Sequence, residues 1–385
     1  MLNVVVDLVQ QMSQTNRKII HVDMDYFYAQ VEIRDNPILK DKYVVVAHDS
    51  ERSVISTCSY NARALGIKSG MSVSEAKKIS DQLFFVEPHM DKYKKVHKQI
   101  MEILYRYSDI IEPMSLDEAY LDVTYNKLGI RSATRVAKEI QFYIYKELQL
   151  TCSIGVSYNK FLAKIGSDLN KPHGISVIKP LDSLKLVKNL PIEKFMGVGR
   201  KNKTLCYQHG IYKGKDLLNF SLAQLQLIFG QKFGGKLYYY ARGIDESRVK
   251  SHREMQSVSC EHTLETDLRA LTDIEQRLYQ LSEEVAARLV NKQVCGKTIT
   301  LKLKLNNFDT ITKSHTLKYY IVNANDIYPI VIKLLKKVNL LNYYVRLIGI
   351  SISNLEPIKR LETQIKYRQI YLPILGVDDE EFWFS

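Results

Sequence analysis

The sequence predicts an α+β protein of more than one domain, and three observations carry that prediction. At 385 residues the chain is longer than the roughly 250–300 residues over which single cores keep growing. Strand-like apolar runs alternate with amphipathic helical patterns as far as about residue 180, the pattern of a sheet covered by helices. A second set of strands and helices follows a polar, aperiodic stretch at 244–256 (IDESRVKSHREMQ), which reads as an interdomain linker.

Residues 18–23 (KIIHVD) predict a buried strand, and VVV at 44–46 and VIST at 54–57 predict short strands of a small lobe. AYLDV at 119–123 and CSIGVS at 152–157 continue a sheet, with ATRVAKEIQFYIYKEL at 133–148 as the helix between them. Near residue 180 the texture changes to short basic helices, and LPIEKFMGVGRKNKTLCYQHGI (190–211) centres on Gly197-Val198-Gly199. A Gly-x-Gly turn opening a basic helix offers backbone N–H groups to a phosphate, although a plain helix connection uses the same turn. After the linker, SVSCEHTL (257–264) predicts a strand, and the next helix places Leu271, Ile274, Leu278, Leu281, Val285 and Leu289 on one face. KTITLKLKLNNF (297–308) alternates apolar and basic residues, so one sheet face is buried and the other solvated. Lys302 and Lys304 lie on the solvated face if Leu301, Leu303 and Leu305 point inward. A helix around 324–338 and the strand VRLIGISIS (345–353) complete a small α+β domain.

Two acidic motifs carry the chemistry: HVDMDYFYAQVE at 21–32 and SLDEAYLDVT at 115–124. Each sets carboxylates at the end of an apolar run, where a buried charge is costly unless a cation neutralises it. Asp23, Asp117 and Glu118 suit one or two hard cations such as Mg²⁺, which take oxygen ligands and substrate phosphates. Phosphoryl or nucleotidyl transfer is the chemistry such a site supports. Asp117 and Glu118 are neighbours, and within a regular strand they would point to opposite faces. Both reach one site only where the strand is just leaving a turn, which Pro113-Met114-Ser115 supplies. Asp25 shares the parity of Asp23 and is expected to be a structural acid.

The net charge of +13 implies an anionic partner. The excess is uneven: residues 183–243 hold eleven Lys/Arg against two acids, and 296–340 hold eight Lys against two Asp. Two basic surfaces fit a long polyanion better than a small acidic metabolite. Five cysteines, scattered and free of CxxC spacing, argue against a zinc site and a disulfide framework and for a reduced cytoplasm. No run approaches the roughly 18 apolar residues of a membrane span. The first sixteen residues (MLNVVVDLVQQMSQTN) lack a basic n-region and a cleavage site, so they are expected to be an N-terminal extension rather than a signal peptide. Met12 is a second candidate start, because the ordered pattern begins at Arg17.

The two acidic motifs and GVSYNKFLAKIGSDLNKPHG (155–174), in that order and followed by a Gly-x-Gly hairpin and a basic α+β domain, resemble the Y-family translesion DNA polymerases. The resemblance runs from about residue 17 to 353. It implies a right-hand polymerase with a ferredoxin-like palm, small fingers, a helix-hairpin-helix thumb and a separate little-finger domain. The corresponding boundaries are a palm at 17–182 with fingers inserted at about 26–89, a thumb at 183–243, the linker, a little finger at 257–356 and a tail at 357–385.

By the same resemblance Asp23, the Met24 carbonyl, Asp117 and Glu118 are the metal ligands, and the three acids are the catalytic residues. Tyr28 falls on the steric-gate position that excludes a ribose 2′-hydroxyl, with Phe27 beside it under the incoming nucleotide. Thr57, Tyr60 and Arg63 fall on the triphosphate, and Lys164 completes the phosphate cage; hydroxyls, a forked guanidinium and an ammonium suit that task. Gly197, Gly199, Lys201, Lys203, Lys302 and Lys304 are the expected DNA contacts. In the tail, Gln369, Leu372 and Ile374 resemble the peptide by which bacterial polymerases dock on the sliding clamp. Eleven residues follow that peptide, where family members usually end. The fingers loop VAHDSERSVIS (46–56) also departs from the family, with Ala47, His48 and Ser53 where relatives carry glycines, and Ser59 stands where Asn is frequent.

The activity so implied is DNA-dependent DNA synthesis past lesions, of low fidelity, distributive and without proofreading, with two Mg²⁺ per active site. Primer–template DNA, dNTPs and a sliding clamp are the implied partners of a cytoplasmic monomer with no membrane association. Another palm-type nucleotidyl transferase or nuclease, and a non-catalytic DNA-repair scaffold, are the alternatives.

Overall fold

The computed structural model describes residues 17–252, 254–340 and 343–360, and the chain divides after His252 into two compact units. In the first unit, strand β1 (Ile19–Met24) leads through Tyr26, in a left-handed conformation (φ 33°, ψ 48°), into helix α1 (Phe27–Asp35). A small lobe follows: β2 (Tyr43–Val46), β3 (Thr57–Cys58), α2 (Tyr60–Ala64), α3 (Val73–Ile79) and β4 (Leu83–Val86). Its strands lie in the order β3-β2-β4, antiparallel then parallel, over a core that includes Val45, Ile55, Cys58, Ile67 and Val73. Ser59 and Ser72 cap α2 and α3 by accepting from the Ala62 and Glu75 amides, which satisfies donors that a helix start leaves unpaired. The strand expected over 54–57 shrinks to Thr57–Cys58. The backbone of residues 53–55 pairs instead with 70–73: the Ile55 amide donates to the Met71 carbonyl and the Val73 amide to the Ser53 carbonyl.

The chain continues through α4 (Met90–Tyr105), β5 (Ile111–Pro113), β6 (Glu118–Asp122), α5 (Ala133–Leu148), β7 (Cys152–Ser157), α6 (Lys160–Leu169) and β8 (Ile175–Val177). These strands and β1 make a five-stranded sheet in the order β5-β6-β1-β7-β8. One face, with Ile20, Val22, Leu121 and Ile154, shares an apolar cluster with Val96, Ile100 and Leu104 of α4 and Val136, Ile140 and Ile144 of α5. Each such side chain contributes about 1.5–3 kcal/mol when fully buried, and the three- and four-residue spacing on both helices aims one stripe at the sheet.

The opposite face, which carries His21, Asp23 and Glu118 beside the buried Ile19 and Tyr120, is covered by α6. A Cβ on Gly155 of β7 would meet the Ala163 carbonyl oxygen at 1.9 Å and the Ser167 nitrogen at 2.4 Å. Only glycine therefore lets α6 lie this close to the sheet. Helices α7 (Pro180–Asn189), α8 (Arg200–Gln208), α9 (Leu222–Phe229) and α10 (Gln231–Tyr240) build a further core with α6, in which Phe161 stacks on Tyr240 at 4.1 Å. Gly197 holds φ +92° before α8, and a Cβ there would meet the Phe233 ring at 2.6 Å.

The second unit contains β9 (Ser257–Leu268), α11 (Leu271–Asn291), β10 (Val294–Leu305), β11 (Thr310–Ile321), α12 (Ala324–Leu335) and β12 (Val345–Pro357). Its strands are antiparallel in the order β11-β10-β12-β9. Leu301, Leu303 and Leu305 are buried as the alternation predicts, and Ile274, Leu278, Leu281, Val285 and Leu289 of α11 pack against them in one cluster. Leu271, expected on that same helix face, is 57% exposed, because it is the first residue of α11 and projects beyond the sheet-facing stripe.

The contact between β7 and α6 yields a direct test. Gly155→Ala forces the helix off the sheet and lowers stability by about 3 kcal/mol, read as a fall in the urea midpoint; an unchanged midpoint would contradict the close approach.

Candidate active site

Strand register builds the site. Asp23 of β1 lies directly opposite Glu118 of β6, and His21 opposite Tyr120. Side chains so paired share a face, and like charges directly opposite destabilise a sheet. Helix α6 supplies the compensation. The Lys164 ammonium lies 3.1 Å from Asp23 Oδ2 and hydrogen-bonds Glu118 Oε2, while Lys171, just past the helix, donates to Asp23 Oδ1 at 2.7 Å and to Asp168 at 3.2 Å. The His21 imidazole, 3.6 Å from Glu118, and the Lys164 ammonium hold the Glu118 carboxyl down at about 2, against the opposing effect of burial. Burial pushes His21 itself below its ordinary range. Its Nδ1 pairs with Ser167 Oγ at 2.8 Å, and its Nε2 has no hydrogen-bond partner among the described residues. Burial opposes the charge on Lys164 and Lys171, but the Asp23 carboxylate beside each outweighs it and raises both above the usual lysine range.

Asp117 reaches the same place by a turn. Glu118 is the first residue of β6, and Asp117 precedes it in the connection from β5. The Asp117 carbonyl accepts from the Met24 amide at 2.9 Å, and its carboxylate accepts from Ser115 Oγ at 2.5 Å. Ser115 Oγ also accepts from the Glu118 amide at 3.2 Å. Two adjacent acids thereby escape the alternation of a regular strand.

A cleft of about 420 Å³ opens here, lined by Asp23, Met24, Phe27, Tyr28, Thr57, Tyr60, Arg63, Asp117 and Lys164, all singled out in the sequence. Asp168 and Lys171, which sequence reasoning missed, also line it. Tyr28 stacks on Tyr93 at 4.2 Å with the rings 10° from parallel, while Phe27 is 2% exposed and belongs to the main core as well as the cleft wall. The Tyr60 hydroxyl donates to Asp25 at 3.3 Å, and the Arg63 guanidinium lies 5.1 Å from the centre of the Tyr60 ring. Asp25 is buried and accepts from Thr151, Ser153 and the His173 amide at 2.7–2.9 Å, as expected of a structural acid.

The residues expected to touch DNA are placed within each unit by itself. Gly199 is the N-cap of α8, which carries Lys201 and Lys203; Lys203 pairs with Glu193 at 3.4 Å and sits over the Tyr207 ring at 5.4 Å. In the second unit Lys302 pairs with Glu261 at 2.6 Å, and Lys304 lies over the Phe308 ring at 5.6 Å. These are exposed or half-exposed contacts, worth little in water and readily exchanged. Gln369, Leu372 and Ile374 lie outside the described residues.

Comparison with known proteins agrees with this geometry. Residues 22–168 match the impB/mucB/samB family, 255–366 match that family's C-terminal domain, and 189–245 match the thumb domain of DNA polymerase-iota. Proteins named DNA polymerase IV are similar over most of the chain. The one from Streptococcus suis is 45% identical over 89% of this chain and 97% of its own; the one from Clostridium perfringens is 46% identical over 89% and 95%. A solved Y-family DNA polymerase chimera of Dbh and Dpo4 superposes with a TM-score of 0.80 at 30% identity, covering 88% of this chain and 98% of its own. The chain belongs to the Y-family DNA polymerases.

Members of the Y-family depend on divalent metal, and the donors present fit one. Asp23, Asp117 and Glu118 offer only oxygen, as hard cations require, and two lysines already balance two of these acids.

A network that no motif announced stands behind Tyr28. Glu32, 4% exposed, accepts from Tyr93 Oη and Lys92 Nζ at 2.8 Å and from His89 Nδ1 at 2.9 Å. Burial opposes its ionisation, yet these donors outweigh burial and hold its carboxyl below the usual range. A depressed carboxyl pKa stabilises the fold fully above the unfolded value, and that contribution is lost as pH falls through the folded value. Glu32→Gln should therefore cost about 2 kcal/mol at neutral pH, and the gap to the parent should narrow toward about pH 3. Urea midpoints of both proteins across that range check the sign; a gap that widens in acid would contradict it.

Proposed function

We propose that this chain is a DNA-directed DNA polymerase for translesion synthesis, adding dNTPs to a primer 3′-hydroxyl with low fidelity, distributively and without proofreading. The observation that carries the reading is the Asp23–Glu118 cross-strand pair, with Asp117 beside it, at a cleft walled by Tyr28, Thr57, Arg63 and Lys164. Membership of the Y-family supports the same reading.

Asp23, Asp117, Glu118 and the Met24 carbonyl would hold two Mg²⁺, whose chemistry there would be to lower the pKa of the attacking hydroxyl and to neutralise charge on the triphosphate and pyrophosphate. The chain's own residues position the reactants. Thr57, Tyr60 and Arg63 on the small lobe and Lys164 on α6 bind triphosphate oxygens as hydroxyl donors and cations. Tyr28, backed by the parallel ring of Tyr93, lies beneath the sugar and rejects a 2′-hydroxyl by contact, with Phe27 fixing its neighbour in the core. His21, buried 3.6 Å from Glu118, keeps a polar ring beside that carboxylate.

Residues 17–182 act as palm with fingers at about 26–89, 183–243 as thumb, 244–256 as linker and 257–356 as little finger. Gly197, Gly199, Lys201 and Lys203 in the thumb, and Lys302 and Lys304 in the little finger, grip duplex phosphates without reading sequence. Gln369, Leu372 and Ile374 dock a sliding clamp, which raises the effective concentration of a weakly held polymerase at the primer end. The protein works as a cytoplasmic monomer. Among the described residues no helix is long and apolar enough to cross a membrane.

Primer extension tests the reading. Asp117→Ala should lower Mg²⁺-dependent dNTP incorporation by about a thousandfold or more while leaving primer–template binding in place. Extension that persists in this variant, or a parent that fails to incorporate labelled dNTP, would overturn the assignment. Tyr28→Ala should raise ribonucleotide incorporation relative to deoxyribonucleotide by about tenfold or more; an unchanged ratio would place sugar selection elsewhere.

A further inference from the structure

In the second unit three side chains of metal-ligating type converge on the solvent-edge end of the sheet. Cys260 and His262 are two apart on strand β9, so they share a face. Glu284 projects toward them from helix α11, which packs on that face. Cys260 Sγ lies 3.5 Å from His262 Nε2 and 3.0 Å from Glu284 Oε2, and His262 Nε2 lies 3.2 Å from the same carboxylate oxygen. Among the described residues this is the one cluster of three such ligand atoms within 4.8 Å of one another.

The spacing matches a tetrahedral zinc-type centre. Metal–sulfur bonds of about 2.3 Å and metal–nitrogen or –oxygen bonds of about 2.0 Å, at tetrahedral angles, separate sulfur from nitrogen by about 3.5 Å and nitrogen from oxygen by about 3.3 Å. Sulfur and carboxylate oxygen are closer than that ideal, and Glu284, 41% exposed, has room to swing outward. A thiolate, a carboxylate and a neutral imidazole would cancel a divalent charge, as the burial of Cys260 demands. Arg288 is the nearby cation, and its guanidinium is committed to the Ser259 carbonyl at 2.7 Å, with its other nitrogen 4.0 Å from Glu284. A nucleophilic triad is the competing use of these residue types. It fails because burial and the facing Glu284 carboxylate push the Cys260 thiol up to about 11, the reverse of thiol activation.

We propose that Cys260, His262 and Glu284 form a site for a zinc-class transition-metal ion, with a fourth position open to solvent, that ties strand β9 to helix α11. Binding releases the Cys260 thiol proton to solvent. The sequence hid the site because the ligands lie two and twenty-two residues apart rather than in a CxxC pair.

Cobalt titration of the full chain tests it. Co²⁺ should produce a thiolate-to-cobalt charge-transfer absorption that saturates at one equivalent and is bleached by Zn²⁺. The oxygen donors of the polymerase cleft give no such band. Cys260→Ser should abolish it, and His262→Asn, at an exposed position that leaves the fold intact, should weaken binding by about tenfold or more. Cys152→Ser, the cysteine next to the catalytic strand pairing, should leave it unchanged. Absence of the band in the parent, or its survival in His262→Asn and Cys260→Ser, would overturn the proposal.

Discussion

Two like charges placed directly opposite each other across a pair of strands govern this molecule. Asp23 and Glu118 face one another on β1 and β6, where a sheet is weakened unless a cation stands between them. The surroundings answer to that need. Gly155 lets α6 descend onto the polar face, and α6 carries Lys164 to both carboxylates and Ser167 to His21. Lys171 closes on the remaining Asp23 oxygen, and the turn before β6 brings a third acid to the same edge. Remove the cations and the arrangement is electrostatically strained; its all-oxygen donors are of the kind a divalent cation takes.

The opposite face of the same sheet explains how such a site is tolerated. Apolar residues of β1, β6 and β7 share one core with α4 and α5, and burial there supplies the stability that the polar face costs. Tyr28 belongs to both worlds, since its ring lines the cleft while resting on buried Tyr93, which Glu32 anchors from within. The cleft wall and the folded core are thereby joined through one stack of rings.

Much of this was legible in the sequence because it is local. The helix at 133–148 and the strand at 152–157 follow from periodicity alone and stand where expected. The conflict between Asp117 and Glu118 pointed to a strand leaving its turn, which is where Glu118 lies. What stayed hidden depends on distant partners. Lys171 meets Asp23 across 148 residues and Tyr93 meets Glu32 across 61, and no spacing rule reaches that far. Residues 53–55 have strand-like side chains, but their amides and carbonyls found partners at 70–73. Leu271 fits the helical stripe and yet, as the first residue of α11, is left exposed. The Cys260, His262 and Glu284 cluster likewise exists only once a helix folds back onto an edge strand.

If the acids serve chemistry rather than folding, activity and stability separate when one of them is neutralised. Single-nucleotide incorporation and thermal unfolding, measured side by side on Glu118→Gln, test that most directly. Incorporation should fall by about a thousandfold or more while Tm moves by no more than a few degrees, because one of two facing like charges has been removed along with its ion pair. Incorporation near the parent's rate, or a loss that merely tracks unfolding, would contradict it.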